Sequence, residues 1–366
     1  MSMEREGPLD GLRVVEFAGI GPAPFCGMLL SDLGADVVRI DRRSGASAIG
    51  IDPILGRGRR SVALDLKDPR DLERCLQLAE RADAVLEGFR PGVMERLGLG
   101  PDVLLARNPK LAFGRMTGWG QTGPYAMTAG HDLNYIALTG ALHAIGPKEK
   151  PAPPLNLVGD FGGGALYMAF GLLAGVLSAR ATGKGQVIDC AMVDGASSLM
   201  SFMYAARAAG DWTDARASNM LDGGRPYYDT YQCADGRWIS IAPLEPQFFA
   251  LLREKTGQSG PAFADQENPD TWPRMRADLT ALFASRTRDD WCALLEGSDV
   301  CFAPVLTMAE APSHPHLAAR QTFVEIDGMT QPAPAPRFSA TPGRIQRPAP
   351  KIGADNDAVF SDWRIG

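Results

Sequence analysis

The feature that most restricts how this chain can fold is a rhythm in its first ninety residues. Short apolar runs alternate there with amphipathic stretches closed by glycine or a charged residue. Residues 12–18 (LRVVEFA), 35–41 (ADVVRID), 61–66 (SVALDL) and 84–87 (AVLE) have the length and branched-residue content of buried strands. Residues 22–33, closed by Gly34, and the amphipathic stretch 68–82 read as helices between them. Strands alternating with helices predict a parallel sheet covered on both faces.

The rhythm then changes. An apolar helix is expected over 160–180, a strand at 187–190 and a long connecting helix and loop over 190–225. A second module opens with a strand pair near 227–231 and 238–242 and continues through helices near 245–257 and 272–296. The proline-rich stretch 331–350 reads as an extended return strap. The domain boundaries expected from this are 1–190 for a large α/β domain and 191–225 for a linker helix and loop. A small α+β domain follows over 226–330, and 331–366 is a strap and tail completing the large domain.

Size and charge exclude some functions. A chain of 366 residues, 45% hydrophobic and 22% charged, can bury a large core without staples. Its net charge of −6 argues against nucleic acid as the main partner, because phosphate binding needs a basic face. The six cysteines form no C-x-x-C pair, which suits reduced thiols in a cytoplasmic compartment. The charged N-terminus MSMERE has no apolar run, so no signal peptide is expected. The longest apolar stretch, 164–179, contains glycines and is shorter than a membrane span, which suits a buried core helix.

Four motifs stand out. Gly19, Gly21, Pro22 and Pro24 follow a strand and imitate a dinucleotide fingerprint, but Pro22 removes an amide a pyrophosphate would need, which favours a plain tight turn. Arg39, Arg42, Arg43, Arg57, Arg59 and Arg60 cluster at strand ends, either as a solvated face or as an anion pocket. Gly130–His131–Asp132 follows a glycine-rich loop and opens a helical pattern, where backbone amides can stabilise an oxyanion. Asp160 precedes Gly162, Gly163 and Gly164; it is either a helix N-cap or a carboxylate beside a ligand passing close to the glycines. His314 and His316 lack acidic companions and are assigned to a loop, and no G-x-S-x-G elbow for a hydrolase is present.

Several longer strings carry a resemblance: GLRVVE at 11–16, DLGADVVRID at 32–41, RPGV at 90–93, MTGWGQTGP at 116–124 and NLVGDFGGG at 156–164. Through them the chain resembles family III CoA-transferase-type proteins, in their α-methylacyl-CoA racemase branch. The resemblance implies a Rossmann-like large domain, a smaller α+β domain and an interlocked homodimer. It implies an acid–base pair, His131 and Asp160, with Glu245 orienting the histidine from the partner subunit. It implies CoA contacts from Arg42, Leu64, Asp65, Leu66, Lys67, Gly88, Phe89, Arg90, Arg96, Gly130, Asp132, Leu133, Asn134, Tyr135 and Asn156. It implies no cofactor or metal, CoA being part of an acyl-CoA thioester substrate, and no membrane partner.

The chemistry expected is racemisation of a 2-methylacyl-CoA through an enolate. One group removes the α-proton, the other delivers a proton to the opposite face, and the Asp132 amide hydrogen-bonds the enolate oxygen. Two other readings compete. A family III CoA transferase would use Asp160 as a nucleophile, forming an acyl-enzyme anhydride. A non-catalytic CoA-binding protein would need neither titratable group.

Overall fold

The structure is a computed structural model that describes residues 7–43 and 51–366. Residues 1–6, read above as lacking a leader, lie outside the described residues. The chain divides into two compact units: the chain up to Thr139 with Pro154–Met200 and Arg320–Gly366, and Gly140–Pro153 with Ser201–Ala319. The 191–225 segment therefore gives its first ten residues, through Met200, to the first unit and the rest to the second.

The first unit is built on six strands: β1 (Arg13–Phe17), β2 (Asp36–Arg42), β3 (Arg60–Leu64), β4 (Ala84–Glu87), β5 (Ala112–Thr117) and β6 (Gln186–Ala191). They run parallel in the order β3-β2-β1-β4-β5-β6. This is the doubly wound Rossmann order, with the switch in direction between β1 and β4. Period-two alternation sends neighbouring residues to opposite faces. Val15, Phe17, Val38, Val62 and Phe113 pack on one face with Leu78 and Trp363, while Val14, Val37, Leu86 and Ala112 pack on the other with Leu30, Met168 and Leu172.

Of these six strands, the one missing from the sequence reading is β5. Its residues are all buried, but Gly114 and Arg115 break the apolar pattern. Gly114 is needed because a Cβ there would lie 2.6 Å from the Met168 sulfur. Arg115 is tolerated because Glu87 and Glu95 take its guanidinium at 3.0 and 2.7 Å.

The apolar stretch is longer than expected. A π-helix, Leu157–Leu166, runs directly into an α-helix, Tyr167–Thr182. By length and composition the combined run is long and apolar enough to cross a membrane. Met168, Leu172, Gly175, Val176 and Ala179 of that helix are buried in this unit.

The strap behaves as a clasp. Gln331 and Pro332 accept hydrogen bonds from Arg57 at 2.8 Å each, and the Arg344 amide donates to the Asp32 carbonyl at 2.9 Å. A helix that the sequence reading left as tail, Asn356–Trp363, closes the sheet, with Trp363 Nε1 donating to Asp36 at 2.9 Å.

In the second unit β7 (Asp229–Gln232), β8 (Trp238–Ile241) and β9 (Phe302–Val305) form an antiparallel sheet. Tyr231, Ile239, Phe249, Met275, Phe283 and Trp291 form its core. The helix expected over 272–296 is two, Trp272–Phe283 and Arg288–Leu295, because Thr287 and Asp290 make a capping box that starts the second. His314 ends a short 3-10 turn with its ring 3.0 Å from Glu296, and His316 lies on the short helix Pro315–Ala319 rather than in a loop.

Candidate active site

The clustered arginines divide: Arg39, Arg42 and Arg43 line a cavity, whereas Arg57, Arg59 and Arg60 are buried in ion pairs outside its wall. Arg57 is buried and bonded to Asp32 at 3.1 Å, and Arg59 is buried and bonded to Glu16 at 3.0 Å. Arg60 is bonded to Asp36 at 3.1 Å and Arg39 to Asp41 at 3.0 Å. Arg43 is more exposed and reaches Asp71 at 3.1 Å. Among the described residues Arg42 alone of the six has no carboxylate partner. A guanidinium without an acid is the one free to take an anion.

Arg42 faces a cavity of about 720 Å³ at the carboxyl ends of the strands. Leu64, Asp65, Leu66, Lys67 and Phe89 of the anticipated set also line it. Val93, Leu97 and Ile352 line it too and were not anticipated. Ile352 lies nearly three hundred positions from Leu64. No local pattern ties it to this cavity; only the return of the strap brings it there. Open α/β sheets hold ligands at this edge, beside the switch point.

Gly88, Arg90 and Arg96 stand beside the cavity rather than in its wall. The loop they begin is anchored from below by Glu87, whose carboxylate accepts the Phe89 amide at 2.7 Å. Burial raises Glu87 above the ordinary carboxylate value, against the pull of Phe89 and Arg115. Arg90 is exposed, and its charge reaches Tyr135.

The cavity wall continues past Gly19 and Ile20 toward the second group of residues. Gly21, with φ of 69°, turns the chain into the Pro22–Asp32 helix. A Cβ on Gly21 would lie 3.4 Å from Oδ2 of Asp160. The dinucleotide look-alike is therefore a tight turn, and its glycine leaves the Asp160 carboxyl beside the backbone.

His131 is the N-cap of the seven-residue helix Asp132–Leu138, and its amide donates to Asn134 Oδ1 at 3.1 Å. Its ring is exposed. The preceding loop is held by Tyr135, whose hydroxyl donates to the Gly130 carbonyl and whose ring stands edge-on to Trp119 at 4.9 Å. A Cβ on Gly118 would lie 2.1 Å from that ring, which is why the loop carries glycine there. Leu133 is exposed, and Tyr135 is buried.

Asp160 is not an N-cap. It lies within the first turn of the π-helix, whose N-cap is Asn156. The i→i+5 bond from the Phe161 amide to the Asn156 carbonyl, 3.2 Å, marks the widened turn. π-Turns are rare and gather at functional sites. The glycines that follow make room for a helix rather than for a ligand. A Cβ on Gly163 would lie 2.5 Å from the Ala196 amide, and one on Gly195 would lie 1.8 Å from the Gly163 carbonyl. The helix Met192–Leu199 thus crosses the π-helix backbone to backbone.

Burial raises the Asp160 carboxyl above its ordinary value, and the Asp132 charge raises it further. The Asn156 amide, 3.5 Å away, and the His131 charge oppose this. His131 and Asp160 are thus close enough to sense one another, and the acid is biased toward its protonated form. Glu245 stands in the second unit, exposed, at the start of the helix Pro246–Thr256. Among the described residues no group of three or more His, Cys, Asp or Glu is placed to hold a metal ion.

The family model described as CoA-transferase family III matches residues 9–356. A protein named alpha-methylacyl-CoA racemase from Mus musculus is 44% identical over 359 residues, 97% of this chain and 93% of its own length. Its namesake from Homo sapiens is 43% identical over 358 residues, with the same coverage of both chains. The crystal structure of a CaiB/BaiF family protein from Brucella suis matches with a TM-score of 0.82 at 28% identity, over 98% of this chain and 100% of its own. The chain belongs to CoA-transferase family III.

Proposed function

We propose that the protein is an isomerase that interconverts (2R)- and (2S)-2-methylacyl-CoA thioesters. The observation that carries this reading is the pairing of His131 with Asp160, a carboxyl biased toward protonation. An α-proton of a thioester is a weak acid, so its removal needs a base on one face and a stabilised enolate. In one direction His131 accepts the α-proton and Asp160 delivers its own to the opposite face; in the other the roles reverse. The thioester bond stays intact throughout. The Asp132 amide is assigned the hydrogen bond to the enolate oxygen.

The nucleotide end of CoA is assigned to the cavity, with Arg42 and Lys67 on its phosphates and Leu64, Asp65, Leu66 and Phe89 around the rest. Gly88, Arg90, Arg96 and Asn156 line its path toward Asp160. Binding energy from this distant end orients the reacting carbon. A transferase reading needs Asp160 as a carboxylate nucleophile. It leaves His131 without a task.

The two units are assigned to the large and small domains of an interlocked homodimer, with Glu245 orienting His131 of the other subunit. The protein is placed in a reducing cytoplasmic compartment, without membrane or nucleic-acid partners and with no cofactor beyond the substrate's CoA.

Incubation with 2-methylacyl-CoA in heavy water tests the reaction. One deuterium should enter the α-carbon while the thioester survives and the chirality scrambles. Transfer of CoA to a free carboxylic acid without α-exchange would replace the racemase with the transferase. Mixed dimers test the assembly. Reshuffling inactive His131→Ala and Glu245→Ala subunits should restore activity, because each hybrid keeps one site with both groups. Verified hybrids as inactive as their parents would remove Glu245 from the partner's site.

A further inference from the structure

Asp132 is bound to Asp160 across two helix starts, a contact that no substrate role accounts for. Its side chain is buried, and one carboxylate oxygen accepts the Asp160 amide at 2.6 Å. Its other oxygen is buried and has no hydrogen-bond partner among the described residues. Leaving a buried carboxylate oxygen unpaired costs roughly 1–3 kcal/mol, and unlike Glu16 Oε1, which has Arg39 3.8 Å away, Asp132 has no ion-pair partner among the described residues. The backbone is also shaped around it. A Cβ on Gly159 would lie 2.6 Å from Asp132 Oδ2 and 3.2 Å from Ile136 Cγ2, so only glycine lets the carboxylate reach the next amide.

We propose that Asp132 is a positioning residue, whose carboxylate pins the backbone of Asp160 and fixes the negative charge against which the Asp160 carboxyl must ionise. This rests on Asp160 being a proton donor and acceptor, as argued above. The amide of a residue inside the first helical turn has no partner within the helix. A side-chain acceptor from another element therefore fixes that turn in space. Since the acceptor is an anion, the same contact disfavours a second negative charge on the neighbouring carboxyl.

The charges that act on Asp160 are those of Asp132 and His131, and Tyr135 senses Asp160 in turn. The other elements packed on the π-helix hold their titratable groups in different contacts. Asp32 is engaged by Arg57, Arg115 by Glu87 and Glu95, and Arg180 by Asp83. The Cys190 thiol donates to the Gly164 carbonyl, and the Asp189 carboxylate accepts the Gln121 amide. Asp194 is exposed, Tyr167 packs against the core, and Cys26 is buried close to Glu16.

Asp132→Asn keeps the shape and an acceptor oxygen but removes the charge. Losing that charge makes Asp160 a stronger acid, so the Asp160 limb of the kcat/KM profile should move to lower pH, in whichever direction the reaction is followed. Asp132→Ala also releases the amide and should lower kcat about 100-fold, the scale of an ångström-level misplacement. Calorimetry should show CoA still bound by Asp132→Asn. A limb at the wild-type pH in a folded Asp132→Asn enzyme would overturn the proposal. If that variant does not fold, carbon-13 NMR titration of the Asp160 carboxyl, assigned with Asp160→Asn, is compared between wild type and Asp132→Ala. The same titration in both would overturn it too. Failure of wild type to exchange the α-proton would instead sink the racemase reading, and the NMR titration would still report on Asp132.

Discussion

Two regions of the first unit bury charge, and they treat it in opposite ways. Under β1 to β3, Arg39, Arg57, Arg59 and Arg60 each find a carboxylate, and the second oxygen of Glu16, buried without a hydrogen bond, still has the Arg39 guanidinium 3.8 Å away. At the two helix starts, Asp132 keeps a bare oxygen, and Asp160 resists ionisation. The paired layer ties the strap, the sheet and the Pro22–Asp32 helix together, and a buried pair loses stability when one partner is removed. The unpaired site holds its groups ready for a proton that is not yet there. Charge with an ion-pair partner maintains the fold, and charge without one is left for chemistry.

The sharpest test of that division is Asp160→Asn. It should lower turnover by about 10²- to 10⁴-fold, the span of a lost acid–base catalyst, with KM little changed. Its stability should not fall. The folded carboxyl is held above its unfolded value, so stability is present at low pH and is lost as pH rises through that raised value. Asparagine removes that loss, and the thermal midpoint at neutral pH should stay or rise. A fall in the midpoint of several degrees would show that Asp160 also holds the fold and would end the contrast.

Arg59→Met should do the reverse. Stranding the buried Glu16 carboxylate should cost about 3–5 kcal/mol in urea unfolding, while the folded fraction keeps its turnover. The double variant Arg59→Met with Glu16→Leu should recover part of the loss. No recovery would mean that the strain arises from packing of the side chain rather than from the abandoned charge.

The smallest effect is expected at the cavity rim, where charge is exposed and unpaired. Arg42→Ala should raise KM about tenfold, near the lower end of the roughly 1.5–3 kcal/mol of a charge-assisted hydrogen bond. Turnover and unfolding should hardly change. Unchanged affinity for CoA by calorimetry would return Arg42 to a solvated surface.

The sequence shows the first-unit framework plainly. The runs that became β1, β2 and β4 are apolar and branched, and each is followed by a glycine or a charged turn that stops it. β5 was hidden because its glycine and arginine make sense only against Met168 and Glu87, partners distant in sequence. The clustered arginines were visible, but their division into five with acid partners and one without was not. That division depends on which carboxylates the sheet brings alongside.

The glycines after Asp160 teach the same lesson. Their number showed that something approaches the backbone closely, and only the packed structure showed that a helix does so.

What the sequence by itself determined is the local: strand and helix periods, the tight turn at Gly21, and the string of special residues that marks the family. Those follow from backbone sterics and side-chain pattern, which act over a few residues. Tertiary structure alone decided which charges are paired, that Ile352 closes the cavity, and that the Asp132 carboxylate meets the Asp160 amide. Burial and Coulomb interaction depend on distance in space, and residues 132 and 160 come within a hydrogen bond of each other only once two helix starts have packed together.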